Sequence, residues 1–150
     1  QTESDDIFIV INPDIEIDLN NFIKLQEILE EGDKSFFTID LYKDRKFQNR
    51  DMSLRSFPRF WDFISSYLFS KNNTLINRED ALIDFDWCTG AFQGFKFSTY
   101  MLLGGFDSKY IMYVEDIDIC YRAKKLGMTT IYNPNYYIVH EARRGGRSLC

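Results

Sequence analysis

The sequence predicts an α/β fold in which a mixed sheet is flanked by helices, and three observations predict it. The run Asp6–Ile11, DIFIVI, is apolar after its first residue, the character of a strand buried on both faces of a parallel or mixed sheet. Two segments, Asp18–Glu31 and Glu115–Leu126, carry apolar residues at helical spacing, and each is followed by a glycine, Gly32 and Gly127. Shorter β-prone runs at Ser35–Leu41, Ala81–Asp86, Thr129–Tyr132 and Tyr136–Val139 are interleaved with them.

Composition narrows the class. A chain of 150 residues suits one domain, one able to bury roughly two-thirds of its unfolded surface. It is 45% hydrophobic and 17% aromatic, enough for a packed core. The formal charge of -5 argues against a general nucleic-acid binder, which carries a basic face. The 3 cysteines, Cys88, Cys120 and Cys150, are far apart and form no CxxC pair, so a zinc knuckle or disulfide framework is not indicated and a reducing compartment fits better. No run reaches the length of a membrane-spanning helix, and no signal peptide is visible. The chain opens on Gln1 rather than Met and enters a strand almost at once, as a piece cut from a longer protein would.

Each element has its own reasons. Pro13 cannot donate to a ladder and closes the first strand. Asn12 and Asp14 then stand at the strand's carboxyl end, where open α/β sheets place ligands, although an ordinary Asn-Pro-Asp turn explains the same tripeptide. Asp18 can cap the first helix, whose Leu19, Phe22, Ile23, Leu25, Ile28 and Leu29 form a packing face. The charged stretch Lys43–Arg50 can meet phosphate or, more simply, be a solvated loop. Phe60–Phe69 places Trp61, Ile64, Tyr67 and Leu68 at helical spacing; too few basic residues flank it for a membrane face, and a core helix is the better reading. Lys71–Asp80 is polar and turn-rich.

Phe97–Leu103 predicts a short helix or turn that ends at Gly104-Gly105. Tyr110–Val114 predicts a strand or extended segment leading to Glu115, Asp116 and Asp118. Three acids in a first turn complement the helix dipole, which explains them without function. The same arrangement can deliver one carboxylate to a cleft and tune its pKa. Asp118 and Arg122, four apart, read as a scaffold pair. Asn133-Pro134 predicts a turn between two strands. His140, the single histidine, ends the second of them. Arg143, Arg144 and Arg147 follow among glycines, and clustered guanidiniums suit a diphosphate, though a flexible basic tail has the same composition.

Gly104-Gly105-Phe106-Asp107, then Y-x-x-Y-x-E-D-I-D-I-C-Y-R over Tyr110–Arg122, then Gly127, resembles the acceptor-side half of inverting family 2 glycosyltransferases of the GT-A fold, in their bacterial rhamnosyltransferase-like branch. The S-x-R-x-F-P element at Ser53–Pro58 and D-W-x-x-G-A-F at Asp86–Phe92 resemble elements of the same branch. The resemblance implies that residues 1–150 are the C-terminal, metal- and acceptor-side part of one catalytic domain, without its N-terminal nucleotide-binding half. It implies transfer of a sugar, with inversion, from a dTDP- or UDP-linked donor to a saccharide or lipid-linked saccharide, in surface polysaccharide biosynthesis. A cytoplasmic location is expected, with peripheral membrane association as a partner of that chemistry; nucleic acid is not.

Roles follow position by position. Asp116 is the expected base and Glu115 orients the acceptor or holds Asp116. Asp14 and His140 are the expected ligands of a divalent cation, Mg²⁺ or Mn²⁺, with Asn12 in place of the first acid of an Asp-x-Asp motif. Asp86, Trp87 and Gly90 are expected to line the acceptor and donor-sugar pocket. There the Trp87 ring can stack under a sugar or simply fill a core. Arg55, Arg143 and Arg147 are candidates for phosphate or acceptor hydroxyls. Two other classes use the same residues: a non-catalytic carbohydrate-binding module built on Trp87, and a metal-dependent phosphoesterase, for which one histidine and scattered acids are a poor two-metal set.

Overall fold

A computed structural model describes residues 6–17, 19–21, 23, 36–51, 53–57, 83–110 and 114–140. Its frame is a mixed six-stranded sheet. Strand β1 (Ile7–Ile11) pairs antiparallel with β7 (Phe92–Lys96), which pairs antiparallel with β3 (Phe36–Tyr42). Strand β3 runs parallel to β8 (Thr130–His140). The far side of β8 takes β5 (Ile83–Asp84) near its start and β2 (Ile15–Glu16) at its end. A two-stranded ribbon of β4 (Leu54–Arg55) and β6 (Trp87–Cys88) stands apart from this sheet. Two helices, α1 (Phe97–Leu103) and α2 (Glu115–Lys125), complete the described elements, with helical turns also at 19–21 and 23.

The central position belongs to β3 rather than to β1. Residues 36–41 of β3 are all buried, whereas β1 ends the strand order among the described strands and Ile11 is 46% exposed. The expectation that Asp6–Ile11 is buried on both faces is therefore corrected. Ser35–Leu41 alternates poorly for the same reason: a strand covered on both faces has no solvent side to mark with polar residues. One side of the sheet packs Phe36, Phe95 and Tyr132 against Ile119, Cys120 and Ala123 of α2 and Leu103 of α1. Another cluster gathers Phe37, Ile39, Leu41, Phe92 and Ile138. Gly94 is needed where β7 pairs with β3 opposite Phe37, because a Cβ there would lie 2.1 Å from the Phe37 ring.

Strand β8 corrects a second expectation. Thr129–Tyr132 and Tyr136–Val139 are one strand, not two joined by a turn. Partner Ile39 faces Asn133 and the next residue, Asp40, faces Tyr137, so Pro134, Asn135 and Tyr136 are looped out as a bulge. Proline is tolerated there because a bulge asks no ladder donor of it. The bulge keeps both halves of β8 on β3 and brings His140 opposite Ile15.

Helix α1 ends as expected, at Gly104 in the left-handed region with φ 75°. Helix α2 begins at Glu115 and buries Ile119, Cys120 and Ala123, while Leu126, assigned to the same face by spacing, is 57% exposed at the helix end. Arg122 pairs with Asp118 at 2.7 Å and donates to the carbonyls of Leu103 and Gly105, tying α2 to the end of α1. Tyr110 and Val114 join no strand, and the three residues between them lie outside the described set. So do most of the helix predicted over 18–31, the segments 60–69 and 71–80, and the arginines at 143, 144 and 147.

Candidate functional site

A cleft of about 480 Å³ opens where β1, the turn after it, the start of α2 and the end of β8 converge. Its walls include Asn12, Gly90, Glu115, Asp116 and His140, five of the residues singled out in the sequence. Val10, Asp51, Thr89, Ala91 and Phe106 complete it. Asn12 is fixed by its backbone, whose N–H donates to the Ala91 carbonyl at 3.1 Å.

Asp116 is held by main-chain donors. The Gly90 N–H donates to Oδ2 at 3.0 Å and the Ile117 N–H to Oδ1 at 2.8 Å. No cation pairs with it among the described residues. Burial pushes its carboxyl above the ordinary aspartate value of 3.8; the Gly90 and Ile117 donors oppose that rise and the Glu115 charge adds to it. Glu115 turns back to accept from the Val114 N–H at 2.9 Å, which closes the helix entry. Gly90 thus serves chiefly as a donor to Asp116. A Cβ there would meet Asp116 Cβ at 3.5 Å, ordinary contact.

His140 lies between two carboxylates. Its Nδ1 is 3.0 Å from Asp51 Oδ2 and its Nε2 is 3.4 Å from Asp14 Oδ1. The Asp51 hydrogen bond raises the imidazole pKa above 6.5, burial pulls the other way, and Asp14 adds to the rise. Asp14 and His140 are together because β2 pairs with the last residues of β8, and the Asn12–Ile15 turn delivers Asp14 to that edge.

Three expected residues face elsewhere. The Trp87 indole N–H donates to the Ser56 carbonyl at 3.2 Å, and the Arg55 guanidinium lies 5.4 Å from the Trp87 ring centre. Asp86 Oδ2 accepts the Phe57 N–H at 2.8 Å. These contacts brace the β4–β6 ribbon, and none of the three residues lines the cleft. The basic loop is likewise structural. Arg45 makes two bonds to Glu16, at 2.7 and 2.9 Å, and Arg50 Nε meets the buried Asp40 at 3.0 Å.

Among known proteins, the chain is similar to rhamnosyltransferases. The chain is 35% identical over 147 residues, 97% of its length, to Rhamnosyltransferase WbbL of Escherichia coli K12, and spans 56% of that protein. Over 62 residues it is 36% identical to N-acetylglucosaminyl-diphospho-decaprenol L-rhamnosyltransferase of Mycobacterium tuberculosis, covering 41% of this chain and 20% of that one. By sequence, the chain is rhamnosyltransferase-like. No family model matches it. The mixed α/β sheet agrees with a glycosyltransferase assignment, and the chain spans about half the length of the first of these relatives.

In a rhamnosyltransferase-like chain the cation question falls on Asp14 and His140. Among the described residues no group of three or more His, Cys, Asp or Glu could hold a metal. Two ligands are still a workable donor set for Mg²⁺ or Mn²⁺, which keep waters and take phosphate oxygens. Asp14 Oδ1 and His140 Nε2, 3.4 Å apart, are near the ~3 Å separation of neighbouring ligands on bonds of about 2.1 Å. The other His140 nitrogen rests on a carboxylate, as metal-binding histidines usually do.

Sequence reasoning missed Asp51 and Thr89. Asp51 follows the charged loop and belongs to no motif. Thr89 lies inside D-W-x-x-G-A-F at an unspecified position, yet the residue borders the cleft and its buried Oγ1 has no hydrogen-bond partner among the described residues. A buried hydroxyl without a partner is costly, so a ligand that bonded it would gain.

Proposed function

We propose that the full protein transfers a sugar from a nucleotide-diphosphate donor to a saccharide or lipid-linked acceptor, with inversion, in the building of a surface polysaccharide. The names of the relatives point to rhamnose as the sugar. The observation that carries the chemistry is Asp116: a half-buried carboxylate with a raised pKa, held by two backbone donors and by no cation among the described residues, on the wall of an open cleft.

In this reading the acceptor hydroxyl sits against Asp116. Its proton passes to the Asp116 carboxylate while its oxygen attacks the anomeric carbon. The bond from that carbon to the diphosphate oxygen breaks, and the diphosphate leaves with the electron pair. A raised pKa brings the carboxylate nearer the working range of a general base. Glu115 adds negative charge beside it and fixes the helix start. Asn12 and Thr89 offer neutral polar groups to the sugars. A divalent cation held by Asp14 and His140 would supply positive charge to the donor diphosphate. Arg143 and Arg147, outside the described residues, are the candidates for the same anion. The free, buried thiols of Cys88 and Cys120 suit work on the reducing, cytoplasmic side of a membrane. The carbohydrate-binding alternative loses support, since Trp87 lies off the cleft with Arg55 against its ring.

The test uses the full-length protein. Nucleoside diphosphate release is followed from a panel of nucleotide sugars, with envelope acceptor extract, with and without Mn²⁺ or Mg²⁺, in wild type and Asp116→Asn. Acceptor-dependent release from one donor, nearly abolished in the variant, is expected. Equal release by the variant, or none from any donor, removes Asp116 from the chemistry.

A further inference from the structure

The charged loop that the proposed reaction leaves unused has a product, and that product is Asp51. The loop is built as a brace. The Lys43 N–H donates to the Asn49 carbonyl at 2.8 Å, and Tyr42 bridges to Arg50. Asp44 accepts from the N–H groups of Lys46, Gln48 and Asn49. The Phe47 ring, on backbone at φ 53°, packs against Tyr42 and Tyr137. The loop ends where the Asp51 N–H donates to the Leu41 carbonyl at 2.6 Å, which fixes Asp51 to central strand β3. From there its carboxylate crosses to His140, 89 residues away in sequence.

We propose that Asp51 is a positioning residue that sets the tautomer of His140 and leaves Nε2 bare toward Asp14. An ionised carboxylate only accepts, so a hydrogen bond between it and a ring nitrogen requires the proton on that nitrogen. Asp51 and Asp14 compete for the one proton of a neutral imidazole. Asp51 is at 3.0 Å, the ordinary N–H···O distance, and Asp14 is at 3.4 Å, beyond it. Nδ1 therefore keeps the proton, and the Nε2 lone pair faces the Asp14 carboxylate. Lys43 Nζ lies 3.7 Å from Asp51 Oδ1, the oxygen other than His140's partner. Asp51 touches neither donor nor acceptor in this account; it acts through His140. The use of the bare nitrogen, though not the tautomer, rests on the cation reading above.

Nitrogen-15 NMR of the imidazole at alkaline pH reads the tautomer without metal or substrate. The His140 signals are assigned by their loss in His140→Gln. In the wild-type full-length protein Nδ1 should carry the proton. Asp51→Asn should lose that bias, while Asp14→Asn should keep it. Mn²⁺ titration should show Asp51→Asn weakened by about 10–100-fold. A wild-type spectrum with the proton on Nε2 overturns the proposal, whether or not any variant folds. So does an unchanged tautomer in Asp51→Asn, or a tautomer that follows Asp14 instead. A wild type that binds no Mn²⁺ counts against the cation in the proposed function; the metal-free spectrum still decides on Asp51.

Discussion

Two aspartates, the buried Asp40 and the half-buried Asp116, are treated in opposite ways. Asp40 lies in the central strand with its side chain 1% exposed, and Arg50 reaches back to meet it at 3.0 Å. Asp116 lies at the start of α2 with, among the described residues, backbone N–H groups and an acidic neighbour. A carboxylate in a framework is neutralised where it stands, because an unpaired buried charge costs several kcal/mol. One left to backbone dipoles keeps part of that cost and stays able to take a proton. The contrast separates scaffold from site more clearly than burial does.

The largest effect should come from removing the second carboxylate. Asp116→Asn should lower kcat by about 10²–10⁴-fold, with stability within ~1 kcal/mol of wild type, since removal of a desolvated charge offsets the loss of one of its two accepting oxygens. Steady-state kinetics and a denaturant melt check both halves. The framework aspartate should answer in reverse. Arg50→Met should cost about 2 kcal/mol and leave kcat nearly unchanged. That is below the 3–5 kcal/mol of a fully buried pair because the guanidinium is 48% exposed.

A pH series sharpens the comparison. The raised pKa of Asp116 means that activity is lost as pH falls through a value above 3.8. Its effect on stability has the opposite sense: folding favours the protonated form, so that contribution is present at low pH and is lost as pH rises through the raised value. Glu115→Gln removes a neighbouring charge that lifts the pKa, and should move the acid limb of kcat/KM to lower pH. A limb that stays put would show that the limb belongs to another group. The smallest effect is expected of Gly90→Ala: the added methyl fits at 3.5 Å from Asp116, so the melt should barely move and any change should appear in KM as the cleft narrows.

What could be read in advance follows a physical line. Local patterns gave β1, β3, β5 and both halves of β8, the start of α2 and its glycine stop, because capping, periodicity and helix breakers act within a few residues, while β7 and the two-residue strands β2, β4 and β6 were not read. The acids at 115 and 116 were visible for the same reason. Pairing order was not. Nothing in DIFIVI distinguishes the strand that ends the described order from the central one, and the bulge at Pro134–Tyr136 exists only because β3 holds both halves of β8. Asp86 and Trp87 show the same limit within one motif: the string fixes which residues are neighbours along the chain, while the ribbon decides which of them turn from the cleft, and Thr89 and Gly90 face it instead. Asp51 depended on a contact across 89 positions, which no local signal reports.

The floor beneath Asp116 holds two thiols. Cys120, one turn further along α2, and Cys88, in β6, are both fully enclosed, and the Gln93 amide touches the two sulfurs at 3.6 and 3.8 Å. A reagent can reach them only when the helix lifts from the ribbon. With every other cysteine of the full-length protein replaced by serine, the rate of thiol labelling becomes a clock for that lifting, and a nucleotide-sugar that settles in the cleft should slow it.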